Sequence, residues 1–161
     1  MKTFKQYLES LKACDNAIEW AGDKPIEQVV AECHRGDWLL WLAKKCGVEL
    51  QPLTLAKGHC ANTVRHLMTD ERSVKAVDVA IAFGEGRATR DELDAAADAA
   101  ADAACYAAYA AYAAADAAAN AYSAAYAIAH TNQQQTADIC RKYIGDLIIE
   151  KVNQTLNQTD L

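Results

Sequence analysis

"DAAADAAADAACYAAYAAYAAADAAANAYSAAYAIAH", residues 94–130, gives up nearly all side-chain variety, with alanine at 23 of the 36 positions from Ala95 to His130. Alanine is the best helix former, so such a run is helical with little tertiary help. The residues just before it supply a start signal: Thr89 and Glu92 have capping-box spacing, a hydroxyl at the cap and a carboxylate three residues on. Nothing beyond them breaks the helical pattern until Thr131-Asn132. One helix over 89–130 would be about 63 Å long, whereas a domain of this length is about 40 Å across. The segment is therefore expected to protrude or to bend, and Asn120, its only Asn, marks the place for a bend.

Projected at 100° per residue, the exceptions to alanine gather on one side. Asp91, Asp94, Asp98, Asp102, Cys105, Tyr106, Tyr109, Tyr112, Asp116 and Asn120 share a broad stripe. Opposite it, Ala96, Ala100, Ala103, Ala107, Ala111, Ala114, Ala118, Ala121 and Ala125 form a strip of methyls. Small side chains let a second helix come close, so the strip is expected to face inward, with Leu39, Leu42, Val77 and Ile81 filling the space against it. The other stripe is then left outward, and no Lys or Arg between Asp91 and His130 offsets its charge. Tyrosine offers large contact area at low entropy cost, and carboxylates steer a basic partner. Asp98, Asp102, Tyr106, Tyr109, Tyr112 and Asp116 are thus the candidate partner-binding residues. The competing interpretation is that the carboxylates only solubilise the helix while the phenols cover a neighbour within the fold.

The rest of the 161-residue chain fits one all-α domain, a multi-helix bundle over 1–161. It divides into a short-helix half (1–88), the alanine-rich segment (89–130) and a C-terminal helix (131–161). Only 7 Gly and 2 Pro are present to break helices, and β-branched residues never alternate as a strand requires. Thr3 to Leu11 is amphipathic, with Phe4, Leu8 and Leu11 on one face. "CDNAIEWAGD" (14–23) stops at Gly22. Pro25 suits the first turn of "PIEQVVAECHR" (25–35), closed by Gly36. Asp37 is the expected N-cap of "WLLWLAKKC" (38–46), which Gly47 ends behind Lys44 and Lys45. Pro52 opens "PLTLAKGHCANTVRHLM" (52–68), and Ser73 caps "VKAVDVAIAFG" (74–84), which Gly84 and Gly86 end. In the last helix Ile139, Tyr143, Leu147 and Ile148 are expected on the buried face.

Charge and motifs exclude several function classes. With 16 basic and 22 acidic residues the net charge is −6, which disfavours a nucleic-acid backbone or an anionic membrane as partner. No run of strongly apolar residues is long enough to span a bilayer. The amphipathic "MKTFKQYLESLK" (1–12) lacks the apolar core of a signal peptide, so a cytoplasmic location is expected. Six cysteines stand without a CxxC pair and read as small buried hydrophobes. His59 and His66 do not have zinc-ligand spacing, nor do Cys33-His34 and His59-Cys60, so no metal is expected. No nucleophile, phosphate-loop or metalloprotease string appears, so neither catalysis nor a cofactor is expected. "GDWLLWL" (36–42) is the most distinctive short string. Its Trp38 and Trp41 are neighbours on one helical face, suited to core packing or to a stacking platform that Trp20 joins. Arg35 and Arg65, with Lys75 and Arg141, are the cations that such a ligand pocket could use.

These strings together resemble the alanine-rich immunity-protein family of bacteria and their phages (immunity-protein-five-like). The similarity covers most of the chain. It includes Ala13-Cys14, Ala17 and Trp20 in "CDNAIEW" (14–20), Glu32-Cys33, "GDWLLWL", Cys60, "EGRAT" (85–89) with Leu93, the Asp/Tyr-studded alanine block, and "TADICR" (136–141). The chain departs from it at Ser73, where Pro is expected, and at the polar Lys57-Gly58-His59. The resemblance implies a cytosolic, all-helical, non-enzymatic protein that neutralises a toxin by binding it, and supplies no binding residues. Phage members suit a different task, countering a host defence, for instance by sequestering a small nucleotide signal. A helical module that oligomerises through alanine faces is the third expectation.

Overall fold

The computed structural model describes residues 2–99 and 122–158, with side chains in the second stretch described from residue 132 onward. Among these residues the regular elements are all helical, and the architecture is a helical bundle. Thr3 opens α1 (Phe4–Ser10) with a capping box: Gln6 N donates to Thr3 Oγ1 and Thr3 N to Gln6 Oε1. After it come α2 (Asp15–Ala21), α3 (Ile26–Glu32), α4 (Gly36–Lys45) and α5 (Leu50–Asn62), then a 3-10 turn (Arg65–Leu67) and α6 (Glu71–Gly84). Residues 90–99 are helical (α7), and α8 runs from Tyr122 to Asn157. The expected capping box before α7 is present, with Thr89 N donating to Glu92 Oε2 (2.7 Å) and Glu92 N to Thr89 Oγ1 (3.3 Å).

The core is built along α8. Ala137, Cys140, Ile144, Ile148 and Val152 recur every three or four residues and are 0–1% exposed, the spacing of one helical face. They join Ile26, Val29, Val30, Leu39, Leu42, Leu53 and Ala56 in one buried cluster. Helices α3, α4 and α5 all pack along α8, and α6 packs on α5. Contacts fix the directions. Glu27 meets Asn153 while Val30 meets Arg141, so α3 runs antiparallel to α8. Gly58 lies under Ile81 and Gly84 under Leu55, so α5 and α6 are antiparallel to each other. No helix among the described residues is long and apolar enough to cross a membrane.

Several boundaries differ from the sequence expectation, each for a tertiary reason. Gly36 does not close α3; it is the buried first residue of α4. A Cβ there would lie 2.4 Å from Thr136 Oγ1 and 2.7 Å from the Thr136 carbonyl carbon, so glycine is needed for α4 to touch α8. Helix α3 stops instead at Glu32, where Arg141 Nη1 reaches from α8 to accept the chain end, donating to Cys33 O (2.6 Å) and Val30 O (3.3 Å). Asp37 is not the N-cap of α4 but lies inside its first turn, behind Arg35. Asp70, not Ser73, caps α6, accepting from Arg72 N at 2.9 Å. Nor does α8 begin at 131: it passes unbroken through Thr131-Asn132, where Asn132 Nδ2 donates to Thr63 Oγ1 (2.7 Å) and ties α8 to the end of α5. On α8, Ile139, Tyr143 and Leu147 are only half-buried, at the margin of the stripe that contains Ile148.

The expected division around the alanine block is met where it is described. Ala96 is buried, whereas Asp91, Asp94 and Asp98 are exposed. The methyl strip from Ala100 to Ala121 and Cys105, Asp102, Tyr106, Tyr109, Tyr112, Asp116 and Asn120 lie outside the described residues, and Ala125 falls in the part of α8 whose side chains are not described. Leu39 and Leu42, expected against that strip, belong to the same core as Ile144 and Ile148.

Candidate ligand-binding site

Helices α1 to α4 together line one pocket. Helix α2 ends at Gly22, whose φ of +53° turns the chain away, and leaves Trp20 on the last turn. Helix α4 is seated on α8 by Gly36, which sets the position of Trp38 and, one turn on, Trp41. The three indoles are half-buried and line one pocket of about 400 Å³. That lies within the range of about 300–1,000 Å³ usual for small-ligand sites. Phe4 and Leu8 of α1 form the opposite wall, core residues Val29, Leu39 and Leu42 the floor, and Lys12, Cys14 and Asp37 the rim.

Each indole carries a cation of this chain. Lys24 Nζ lies 4.0 Å from the centroid of Trp20, the Arg35 guanidinium carbon 4.7 Å from Trp38, and Lys45 Nζ 5.8 Å from Trp41, all within cation–π range. Lys24 is held in place by donating to Trp20 O (3.2 Å) and by Glu32 (3.3 Å). Arg35 makes a bidentate pair with Asp37 (2.8 and 2.6 Å). That pair holds the Asp37 carboxyl below the usual carboxylate range and raises the Arg35 guanidinium. The rings also brace one another: Trp20 and Trp38 are 6.0 Å apart, with His34 5.9 and 6.4 Å from them. Lys12 on the rim has φ +58°, the one described non-glycine residue with positive φ. Burial pushes the Cys33 thiol at the inner end upward, so it is neutral.

Of the residues singled out in the sequence, Trp20, Trp38 and Trp41 are thus brought together, with Arg35 stacked behind one of them. Arg65 is not part of this site. It forms a bidentate pair with Asp78 on α6 (2.6 and 2.8 Å), because the 3-10 turn folds back along that helix. Lys75 is exposed on α6, and Arg141 is spent on the end of α3. Asp98 is exposed on α7; its companions Asp102, Tyr106, Tyr109, Tyr112 and Asp116 are beyond the described residues. His59 stacks on Tyr143, centroids 4.6 Å apart and planes 4° off parallel, and no cluster of three metal-ligating side chains occurs among the described residues. Sequence reasoning missed Lys12, Lys24 and Lys45. The last two carry a signal, each standing four residues after a Trp; Lys12 carries none. Protein-family models, curated proteins and solved structures contain no match to this chain.

Proposed function

We propose that this chain is a non-enzymatic binding protein that sequesters a small, flat, anionic ligand in the tryptophan-walled pocket, a cyclic nucleotide being the chemical class that fits. The observation that carries this is the meeting of Trp20, Trp38 and Trp41 at one pocket, with Lys24, Arg35 and Lys45 stacked on them. A base is flat and apolar on its faces and gains from stacking on indole. Phosphate would be drawn to Lys12 on the rim, since Lys24 and Arg35 lie behind the indoles and are paired with Glu32 and Asp37. Around the pocket stand indoles, aliphatic side chains, Lys12, an ion-paired carboxylate and the thiols of buried Cys33 and exposed Cys14.

Thermal-shift and tryptophan-fluorescence titrations with cyclic mononucleotides and cyclic dinucleotides test this directly. A nucleotide present at a hundred times its Kd should raise Tm by about 5–10 °C, and Trp38→Ala should weaken its binding about ten- to hundred-fold. Neither quenching nor a shift with any member of the panel ends the proposal. A second reading, neutralisation of a basic toxin in the cytoplasm in the manner of an immunity protein, is favoured by exposed Asp91 and Asp98 on the helix that buries Ala96, Asp94 being paired there with Arg90. The same titrations separate the two. Asp98→Lys should leave nucleotide binding untouched while slowing association with a toxin encoded beside this chain; an unchanged association rate removes the acidic face as the interface.

A further inference from the structure

Cys60 on α5 and Cys140 on α8 bring their sulfurs to 3.8 Å, in contact across 80 residues of chain. Each also meets a backbone carbonyl: Cys60 Sγ is 3.7 Å from Thr136 O, and Cys140 Sγ is 3.6 Å from Gly36 O. Two buried methyls would fill the same space without these polar contacts. Cys33, the third buried thiol, turns to Arg35 O at 3.4 Å, which leaves Cys60 and Cys140 as a pair.

We propose that Cys60 and Cys140 form a dithiol which a peroxide oxidises to a disulfide that clamps α5 to α8. Contact and exposure together assign the roles. Either sulfur can donate across the contact; with Cys140 as the donor it favours the thiolate at Cys60 and keeps Cys140 protonated. Cys60 is 9% exposed and Cys140 fully buried, so the oxidant meets Cys60 first. The Cys60 thiolate attacks one peroxide oxygen, the O–O bond breaks, and Cys60 becomes a sulfenic acid while the departing oxygen takes a proton. Cys140 then attacks that sulfur; the S–S bond forms, the S–O bond breaks, and the hydroxyl leaves as water with the Cys140 proton. With hydrogen peroxide, two thiols and one peroxide give one disulfide and two waters. The sulfurs have roughly 1.8 Å still to close to reach bonding distance.

The test treats the 161-residue chain with graded hydrogen peroxide, alkylates the remaining thiols after denaturation, and maps the fragments after combined trypsin and Asp-N digestion, which parts Cys140 from Cys105. The expected result is a fragment joining Cys60 to Cys140, reversed by dithiothreitol, together with a Tm raised by about 5–10 °C. In Cys140→Ser the resolving thiol is gone, so Cys60 should gain oxygens instead of a crosslink. Should that variant fail to fold, the wild-type map decides alone. Both thiols still alkylated after peroxide, a crosslink through other cysteines, or a crosslinked chain with no gain in Tm would each overturn the proposal.

Discussion

Lys12 stands where a helix ordinarily hands over to glycine. It follows the last turn of α1, its N–H bonded to Glu9 O and that of Ala13 to Leu8 O, with φ at +58°. A residue with a Cβ loses about 1–2 kcal/mol in this left-handed region, and such strain is kept where a side chain has work to do. The lysine stands at the rim of the tryptophan pocket. Lys12→Gly is therefore expected to leave stability unchanged or raise it by up to about 1 kcal/mol. The same substitution should weaken an anionic ligand several-fold. Urea unfolding together with a fluorescence titration reads both, and a clear loss of stability would show that the backbone there is not strained. None of this was legible in "SLKAC" (10–14), because αL geometry at a lysine has no local sequence cue. Gly36 is the mirror case: its spacing suggests a helix stop, whereas its lack of a side chain serves contact with Thr136.

At the scale of the element, α8 is where periodicity helped least. Ile139, Ile144, Leu147, Ile148 and Ile149 occupy more than one side of the helix, so hydrophobic spacing does not single out a face. The docking of Gly36 on Thr136 and of Val30 on Gly145 selects it, turning Ile144 and Ile148 inward and leaving Ile139 at the margin. Truncation measures that choice. Ile144→Ala is expected to cost about 2–5 kcal/mol through a buried cavity, and Ile139→Ala less than half as much. Equal losses in denaturant unfolding would mean that the stripe is drawn in the wrong place. The helix starts, by contrast, were partly legible: the capping box read at Thr89 is present, whereas the one at Thr3 is found only in the structure.

Across the whole molecule, carboxylates held below their ordinary range set the acid limit. Arg72 and the amide it carries hold Asp70 down to about 2, Arg65 lowers Asp78, Arg35 lowers Asp37, and the Asn153 amide lowers Glu27. A carboxylate with a lower pKa in the fold stabilises it above the unfolded value, and the gain is lost as pH falls through the folded value. Tyr7, Cys33 and Cys46 are shifted up by burial, so the fold loses stability as pH rises past their ordinary ranges. Tm should be level between about pH 5 and 8 and fall between about 4 and 2. Asp70→Asn should soften the acid fall. Thermal melts across pH check both, and a Tm that rises below pH 4 contradicts the assignment.

Helicity, the helix start at Thr89 and the gathering of Trp38 with Trp41 follow from local rules. Alanine content, capping hydroxyls and i, i+3 spacing act within a turn or two of chain, where sequence distance is spatial distance. Trp20 meeting them across 18 residues, Arg65 turning to Asp78, and Cys60 touching Cys140 were decided only when helices docked. Those contacts depend on which face of each helix is buried and on where a missing side chain lets two backbones approach, and neither is written in the spacing of any one segment.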